Sequence, residues 1–190
     1  LGKNKGFMKG EVNFFYNDFQ NFIALSPTGT TDVDSGSPIY NYVNLPAEFF
    51  GAEIKTEFAA YEKDAHKLDI EIRGDYVEAR NKRTGEPLPR ISPPRFGGSA
   101  IYKYQKIGLR LDTDYTFAQN HVPEGETKTE GYFMVNFGAD YEFDYANTSS
   151  ILYLKATNLL DEEARNHVSF LKDRAPLAGR SIMVGLRNIF

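Results

Sequence analysis

Apolar and polar residues alternate one by one along most of this chain, and a period of two predicts β-strands with two unlike faces. In IGLRLDTDYTF, one face carries Ile107, Leu109, Leu111, Tyr115 and Phe117, and the other carries Gly108, Arg110, Asp112, Asp114 and Thr116. The segments FMVNFGADYEF, LDIEIRGDY and AEIKTEF repeat the design. Apolar residues at helical spacing are hard to find, so the sequence predicts an all-β protein.

The pattern divides into about nine strands, near 6–17, 21–27, 39–61, 67–80, 97–104, 106–119, 130–143, 150–159 and 180–190. Most of them reach the about 9–11 residues that a tilted strand needs to cross a bilayer. Short connections at NDFQ, EKDAH, YQK and YANTS alternate with long ones at SPTGTTDVDSGSP, NKRTGEPLPRISPPR, NHVPEGETKTEG and LDEEARNHVSFLKDRAPLAG. Short turns at one end and long loops at the other are typical of outer-membrane barrels.

Composition narrows the classes of partner. The net charge is -4 with no basic block, which argues against a nucleic-acid partner. The chain has no Cys, so it has neither disulfides nor a thiolate metal site. No uncharged stretch approaches the ~18 residues of a helical membrane span. The chain opens on LGKNKG, without an initiator Met or a signal peptide, so we expect a processed or truncated chain.

A soluble β-barrel also alternates apolar and polar residues, and the pattern of a single strand cannot tell the two apart. Strand length, loop rhythm and aromatic residues near strand ends favour the membrane; these aromatics are Tyr102, Tyr104, Phe117, Phe143 and Tyr145. Bacterial single-chain barrels have even strand numbers and closed edges. We therefore predict an antiparallel transmembrane β-barrel segment that is a portion of a larger wall.

The last strand, RSIMVGLRNIF, ends on an aromatic residue. Steps of two back from Phe190 reach Asn188, Leu186, Val184 and Ile182. This resembles the terminal signal by which the barrel assembly machinery recognises outer-membrane barrels, with Ile182, Val184, Leu186 and Phe190 as its residues. Asn188 departs from the pattern, because that position is usually aromatic or apolar.

Three further elements resemble TonB-dependent outer-membrane receptors. They are NLLD, a long loop and PLAGR before the last strand; NLPAEFFGAEIKTEF, with Gly51, Glu53 and Glu57; and GEPLPRISPPRFGGSAIYKY. The resemblance covers essentially residues 1–190 and implies the C-terminal part of a barrel of about 22 strands. It also implies an N-terminal plug domain, absent from this chain, through which the TonB complex powers uptake of a scarce nutrient across the bacterial outer membrane. This piece alone should not transport, and its other partner would be outer-membrane lipid.

Loop residues supply the candidate ligand-binding groups. The histidines are His66, in a predicted short turn, and His121 and His167, in long loops on the side where a receptor meets its ligand. Either these two are solvent-exposed loop residues, or they capture a metal with carboxylates from Glu124, Glu126, Asp161, Glu162 or Glu163. We predict His121, Glu124, His167 and Arg165 as substrate-binding candidates, with His121 and His167 as metal ligands. EEARNHVSFLKDRAPLAGR resembles the zinc-uptake branch, although haem and ferric-siderophore receptors share much of it; no cofactor is expected.

The polar rows supply candidates for the lumen of the barrel: Arg73, Arg110, Asp112, Asp114, Asp140 and Glu142. These residues either line a substrate path or pair with one another and with the plug. Asp112 and Asp114 resemble a carboxylate pair for acid–base work, but with no inward His or Ser expected beside them we predict no enzyme. The alternatives are a soluble β-barrel carrier and an outer-membrane barrel enzyme.

Overall fold

The computed structural model describes residues 8–36, 38–145 and 148–189. These residues form one sheet of eight strands: β1 (Met8–Thr31), β2 (Pro38–Lys63), β3 (His66–Asn81), β4 (Arg95–Tyr104), β5 (Ile107–Thr116), β6 (Tyr132–Tyr145), β7 (Thr148–Thr157) and β8 (Ser181–Ile189). Each strand pairs antiparallel with the next, so spatial order follows chain order. Among the described residues, a helix with the length and apolarity of a membrane span is not found.

The strand count corrects the prediction at one place. We expected a turn at NDFQ, but β1 runs through it as a single strand of 24 residues. Its pairing with β2 shifts in register between Phe19 and Phe22 and then continues. A β-bulge of this kind inserts residues without ending the ladder, so the two predicted N-terminal strands are one. The described residues therefore form eight strands where about nine were predicted. Within the described residues, β1 and β8 still have one neighbour each, which leaves both edges open.

The predicted alternation of short and long connections is confirmed after β2, β3, β4, β5 and β7. The predicted long loop SPTGTTDVDSGSP is shorter than expected, because β1 extends to Thr31 and β2 begins at Pro38. The predicted turn at YANTS includes residues 146–147, which lie outside the described residues. Two residues join β2 to β3, and two join β4 to β5. At the opposite end of the sheet, connections of 6, 13, 15 and 23 residues follow β1, β3, β5 and β7, counted between the strand bounds. We call these the short-turn end and the long-loop end.

The cross-strand register separates two faces. One, the polar face, carries Arg73, Gly97 and Asp114 side by side on β3, β4 and β5. The other, the apolar face, exposes 81% of Phe14 and 65% of Val184, whereas Asp69 and Ser99 on the polar face are 9% and 4% exposed. Phe14 and Val184 of the apolar face are therefore more exposed than Asp69 and Ser99 of the polar face.

A small core lies at the long-loop end of the polar face. Leu88, in the loop between β3 and β4, packs with Ala24, Ala47 and Ala79 from β1, β2 and β3. Its backbone N–H donates to the carbonyl of Ala79 at 2.9 Å, which fixes the loop against the sheet. This loop thus folds over the polar face.

Aromatic rings mark two levels of the apolar face. Near the short-turn end, the ring of His66 stacks on Tyr104 with centroids 4.2 Å apart, and its Nδ1 lies 2.6 Å from the hydroxyl of Tyr102. His66 is the first residue of β3 and not part of the turn. Towards the long-loop end, Tyr76 and Tyr115 lie on the same face.

Candidate ligand-binding loops and polar face

A buried ionic cluster joins three of the long loops. The carboxylate of Glu126, in the β5–β6 loop, accepts hydrogen bonds from Lys172 Nζ at 2.9 Å and from the backbone N–H of Arg90 at 3.1 Å. Lys172 belongs to the β7–β8 loop and Arg90 to the β3–β4 loop. Nε2 of His167, also in the β7–β8 loop, lies 3.4 Å from Glu126 Oε1. We call Glu126, Thr129, His167 and Lys172 the loop cluster.

The surroundings of His167 indicate its role. The residue is 2% exposed, and its Nδ1 lies 2.9 Å from the Thr129 hydroxyl and 3.4 Å from Lys172 Nζ. Because Nδ1 faces a hydroxyl and an ammonium, we assign it as the acceptor nitrogen, which puts the ring proton on Nε2 towards Glu126. Nε2 nevertheless makes no hydrogen bond among the described residues. The buried ring thus lies where the β5–β6 and β7–β8 loops meet, between the Glu126 carboxylate and the Lys172 ammonium, and its predicted role as a metal ligand stays a prediction.

The charge of Glu126 is strongly stabilised. Burial by itself raises the pKa of the carboxyl, but contacts with His167, Lys172 and the Arg90 backbone N–H outweigh burial and hold the pKa at about 2. Glu126 is therefore ionised at any physiological pH. From the sequence, Glu126 is only one of several possible metal-binding carboxylates, and nothing in its own segment indicates a role at the meeting of three loops.

The other loop candidates do not gather around His167. His121 and Glu124 are exposed. Arg165 is held within its own loop, donating to the Lys172 carbonyl at 2.7 Å and to Glu163 at 2.7 Å. The described residues contain no group of three or more His, Cys, Asp or Glu side chains arranged to hold a metal ion. The predicted metal and substrate roles of these residues stay predictions.

Two cavities lie beneath the long loops. One of about 460 Å³ is lined by residues of β1, β2 and the β3–β4 loop, and the other, of about 430 Å³, reaches the β7–β8 loop. Glu124 lines both cavities. In the second cavity, the guanidinium of Arg90 lies 3.4 Å from the centre of the Phe170 ring, a cation–π contact at the cavity wall.

The NLLD and PLAGR segments brace the base of the β7–β8 loop. Asn158 is 1% exposed, and its amide donates to the carbonyls of Glu162 and Ala178 at 2.9 and 3.2 Å while its Oδ1 accepts from the Glu162 N–H at 2.9 Å. Asp161 accepts from the backbone N–H of Arg180 at 2.9 Å. The two motifs therefore close the loop upon itself. The sequence showed the resemblance of these two motifs to those of a receptor family, but it did not indicate their bracing function.

All six predicted lumen residues lie on the polar face, and four of them join one network. Arg73 donates to both carboxylate oxygens of Asp114, at 2.9 and 2.6 Å, and to Ser99 at 2.8 Å. Arg110 binds Asp112 at 2.9 Å and Glu71 at 3.3 Å. We call these residues, with Ser99, the polar-face network. The register itself places Gly97 between Arg73 and Asp114, where an added Cβ would lie 2.2 Å from the Asp114 carboxylate.

One expectation about this network was wrong. We expected no inward Ser beside Asp112, but the Ser99 hydroxyl donates to the Asp112 carboxylate at 2.5 Å. The same hydroxyl accepts from the guanidinium groups of Arg73 and Arg110. None of the three histidines belongs to this network, so Ser99 has no neighbouring base of the kind that activates a hydroxyl nucleophile.

The C-terminal strand presents its apolar row as the alternation predicts. Ile182, Val184 and Leu186 are 66%, 65% and 58% exposed on the apolar face, and Phe190 lies outside the described residues. Asn188 shares their face, and its Oδ1 accepts from the Ser150 hydroxyl on β7 at 2.9 Å. Asn188, the polar residue that interrupts the apolar row, is thus hydrogen-bonded to the neighbouring strand β7.

Comparison with known proteins agrees with this architecture. The family described as TonB dependent receptor-like, beta-barrel matches residues 2–159. Among solved structures, the copper transporter OprC matches with a TM-score of 0.77 and 16% sequence identity over 96% of this chain. At that identity the likeness shows the fold alone, and the chain spans 29% of that transporter's length. The family match covers most of the chain, which therefore belongs to the TonB-dependent receptor β-barrel family, a family of the bacterial outer membrane.

Proposed function

We propose that this chain is the C-terminal wall of an outer-membrane receptor that takes up a scarce metal or metal complex, powered by the TonB complex through a plug domain elsewhere in the receptor. The observation that carries this proposal is a two-faced sheet whose sequence matches the receptor family over residues 2–159. The copper transporter with the same fold supports metal as the cargo class. Zinc is the first metal to test, because the β7–β8 loop resembles the zinc-uptake branch.

The dimensions of the apolar face support its placement against lipid. From the ring of His66 to that of Tyr76 on β3 there are ten residue steps. At ~3.3 Å per residue and a tilt of about 40°, this separation is ~25 Å along the membrane normal, the height of the outward apolar band of such barrels. The polar face then lines the lumen, with Asp140 and Glu142 beside the polar-face network. In the same placement, the β8 row ending in Phe190 serves the barrel assembly machinery.

In this placement the long loops face the cell exterior, where ligand arrives. Glu124 and His121 are exposed there, and Glu124 lines both loop cavities. We assign first contact with the metal or its complex to these two residues and to Arg165. The loop cluster, including His167, holds the loops in position for that contact.

Metal-limited growth tests the proposal. A strain lacking the receptor gene should grow poorly when zinc is chelated, and cellular metal measured by mass spectrometry should fall for the cargo but not for other metals. Copper, a ferric siderophore and haem should be supplied in parallel arms. Loss of TonB should give the same defect as loss of the receptor. Equal accumulation of all four cargoes with and without the receptor would refute metal uptake.

Point variants test the loop assignment. His121→Ala or Glu124→Ala should weaken binding of the cargo in calorimetric titration of the full receptor, and Asn120→Ala, an exposed neighbour, serves as the control. Unchanged affinity in both variants would remove these side chains from the binding site while leaving the transport proposal standing.

A further inference from the structure

An apolar groove runs along β4 on the apolar face. The groove has a volume of about 410 Å³. Its floor is formed by Gly98 and Ala100, and its walls are Ile70 and Ile72 on one side and Leu111, Tyr115 and Phe133 on the other. Phe96 closes it at the end nearer the long loops.

The width of the groove follows from the register. Gly98 pairs with Ile72 on β3 and with Thr113 on β5, so the walls stand two strand spacings apart. Two spacings of ~4.8 Å give ~10 Å between backbones, which leaves room between the side chains for one extended hydrocarbon chain. The groove therefore has the shape of a single linear apolar ligand.

Gly98 keeps this groove open. An added Cβ at this position would lie 2.9 Å from the backbone carbonyl oxygen of Glu71 on the neighbouring strand. Its neighbour Gly97 faces the opposite side, beneath Arg73 and Asp114. The Gly97–Gly98 pair thus omits side chains on both faces at once, for the ion pair on one and for the groove on the other.

The side chains that line the groove on this face are apolar except for Thr113, and the placement proposed above puts the groove at the level of the hydrocarbon. Gly98 lies between the aromatic levels of His66 and Tyr76, since it pairs with Ile72. Side-chain atoms that border the unfilled groove have no dispersion partners on that side, and an occupant of the groove would supply them.

We propose that the groove on β4 is a binding site for one acyl chain of an outer-membrane lipid, which lies along β4 between the walls of β3 and β5. The proposal rests on the proposed function in one respect, the placement of the apolar face against lipid. A lipid is favoured over a second copy of the chain because a groove one hydrocarbon chain wide suits a linear tail.

Photo-crosslinking in the full receptor tests this site. The receptor is reconstituted in phosphatidylethanolamine vesicles that contain a phospholipid with a mid-chain diazirine, irradiated, and the labelled residues are mapped by mass spectrometry. Label should concentrate on residues of the groove relative to Val184 and Leu186 on β8. Ala100→Leu fills the floor, and groove labelling should fall by roughly fivefold through the loss of several dispersion contacts. Ala139→Leu, the same change on the same face of β6, should leave it unchanged.

Three outcomes would overturn the proposal in distinguishable ways. Even labelling along the whole apolar face would mean that no chain is held in the groove. Crosslinks between two receptor copies at β4 would assign the groove to a second copy. The chain has no Cys of its own, so an Ala100→Cys variant reports orientation directly. Rapid reaction of that thiol with a water-soluble maleimide would show that the face meets water, and the lipid placement in the proposed function would fail as well.

Discussion

Two regions of this molecule place carboxylates beside cations, and the two regions differ in how far these side chains are exposed to solvent. In the loop cluster, the side chains of Glu126, His167 and Lys172 are 10%, 1% and 6% exposed. In the polar-face network, those of Arg73 and Asp114 are 35% and 37% exposed. The hydrogen-bond geometry is equally good in both, since Lys172–Glu126 and Arg73–Asp114 lie at 2.9 and 2.6 Å.

The difference reflects what holds each backbone. Strands β3, β4 and β5 are paired residue by residue, so backbone hydrogen bonds already hold the strands that carry the polar-face network. The loops of 117–131 and 158–180 have few such ladders, with one isolated bridge between Gln119 and Thr129. Buried charge pairs therefore hold the backbone of the loops in position, as strand pairing holds the backbone of the sheet. Breaking a buried pair is costly because it strands a charge, whereas an exposed pair contributes little.

The largest effect is expected for Glu126→Gln. This change leaves the Lys172 ammonium buried without its counter-charge, which costs about 3–5 kcal/mol. Hydrogen exchange should accelerate throughout loops 117–131 and 158–180 while β3–β5 stay protected. Glu124→Gln, an exposed carboxylate two residues away, is the matched control and should leave exchange unchanged. Equal exchange in the two variants would show that the loops do not depend on the buried pair.

Acid should release the loops at a predictable pH. The pKa of Glu126 falls from 4.5 to about 2 in the folded protein. A lowered carboxyl pKa contributes stability that is fully present above pH 4.5 and is lost as the pH falls towards 2, in total about 3 kcal/mol at ~1.4 kcal/mol per pKa unit. Pepsin should therefore cleave the long loops at pH 2 far faster than at pH 4. The Glu126→Gln receptor should be cleaved at both values, and a wild-type profile in that variant would contradict the assignment.

A smaller loss is expected for Asn158→Ala. Two carbonyls and one N–H lose a buried partner, and each unsatisfied group costs about 1–3 kcal/mol before water enters. Asn158 also adopts a φ of 51°, a left-handed conformation that Asn tolerates better than Ala. Exchange should rise in residues 158–180 but not in 117–131. Asn166→Ala, which removes only an exposed hydrogen bond from the Val168 N–H at 3.3 Å, should have a much smaller effect. Loosening of both loops by Asn158→Ala would mean that the brace and the loop cluster are one unit.

The wall was largely predictable from sequence because its information is local. Alternation in IGLRLDTDYTF assigned Arg110, Asp112 and Asp114 to one face, and the register places them there. The error at NDFQ has a local cause too, because a short polar stretch between apolar runs reads the same whether the chain turns or bulges. Only the continued pairing of Phe22 with Leu45 shows that the strand goes on.

The loop cluster was not predictable, because its contacts are distant in sequence. Glu126 and Lys172 are 46 residues apart, and Arg90 joins them through a backbone N–H that every residue but Pro possesses. His167 looked like a surface ligand because loop histidines usually are exposed. The burial of His167 depends on contacts with residues of other loops, and the residue pattern around His167 itself gives no sign of those contacts.

The smallest effect is expected on the polar face, and it tests the comparison from the other side. Asp114→Asn should reduce the free energy of unfolding of the full receptor in detergent by about 1 kcal/mol or less, because both partners reach water. The loss should shrink further in ~1 M salt, where the Debye length is about 3 Å. Asp144→Asn removes an ion pair with Lys106, and the side chains of Lys106 and Asp144 are 53% and 75% exposed. Its effect on the free energy of unfolding should be smaller still. Asp114→Asn could instead destabilise the receptor as much as Glu126→Gln does, and at every salt concentration. In that case solvent exposure would not explain the difference between the two regions, and the polar-face network would contribute to the stability of the sheet as much as the loop cluster does to the loops.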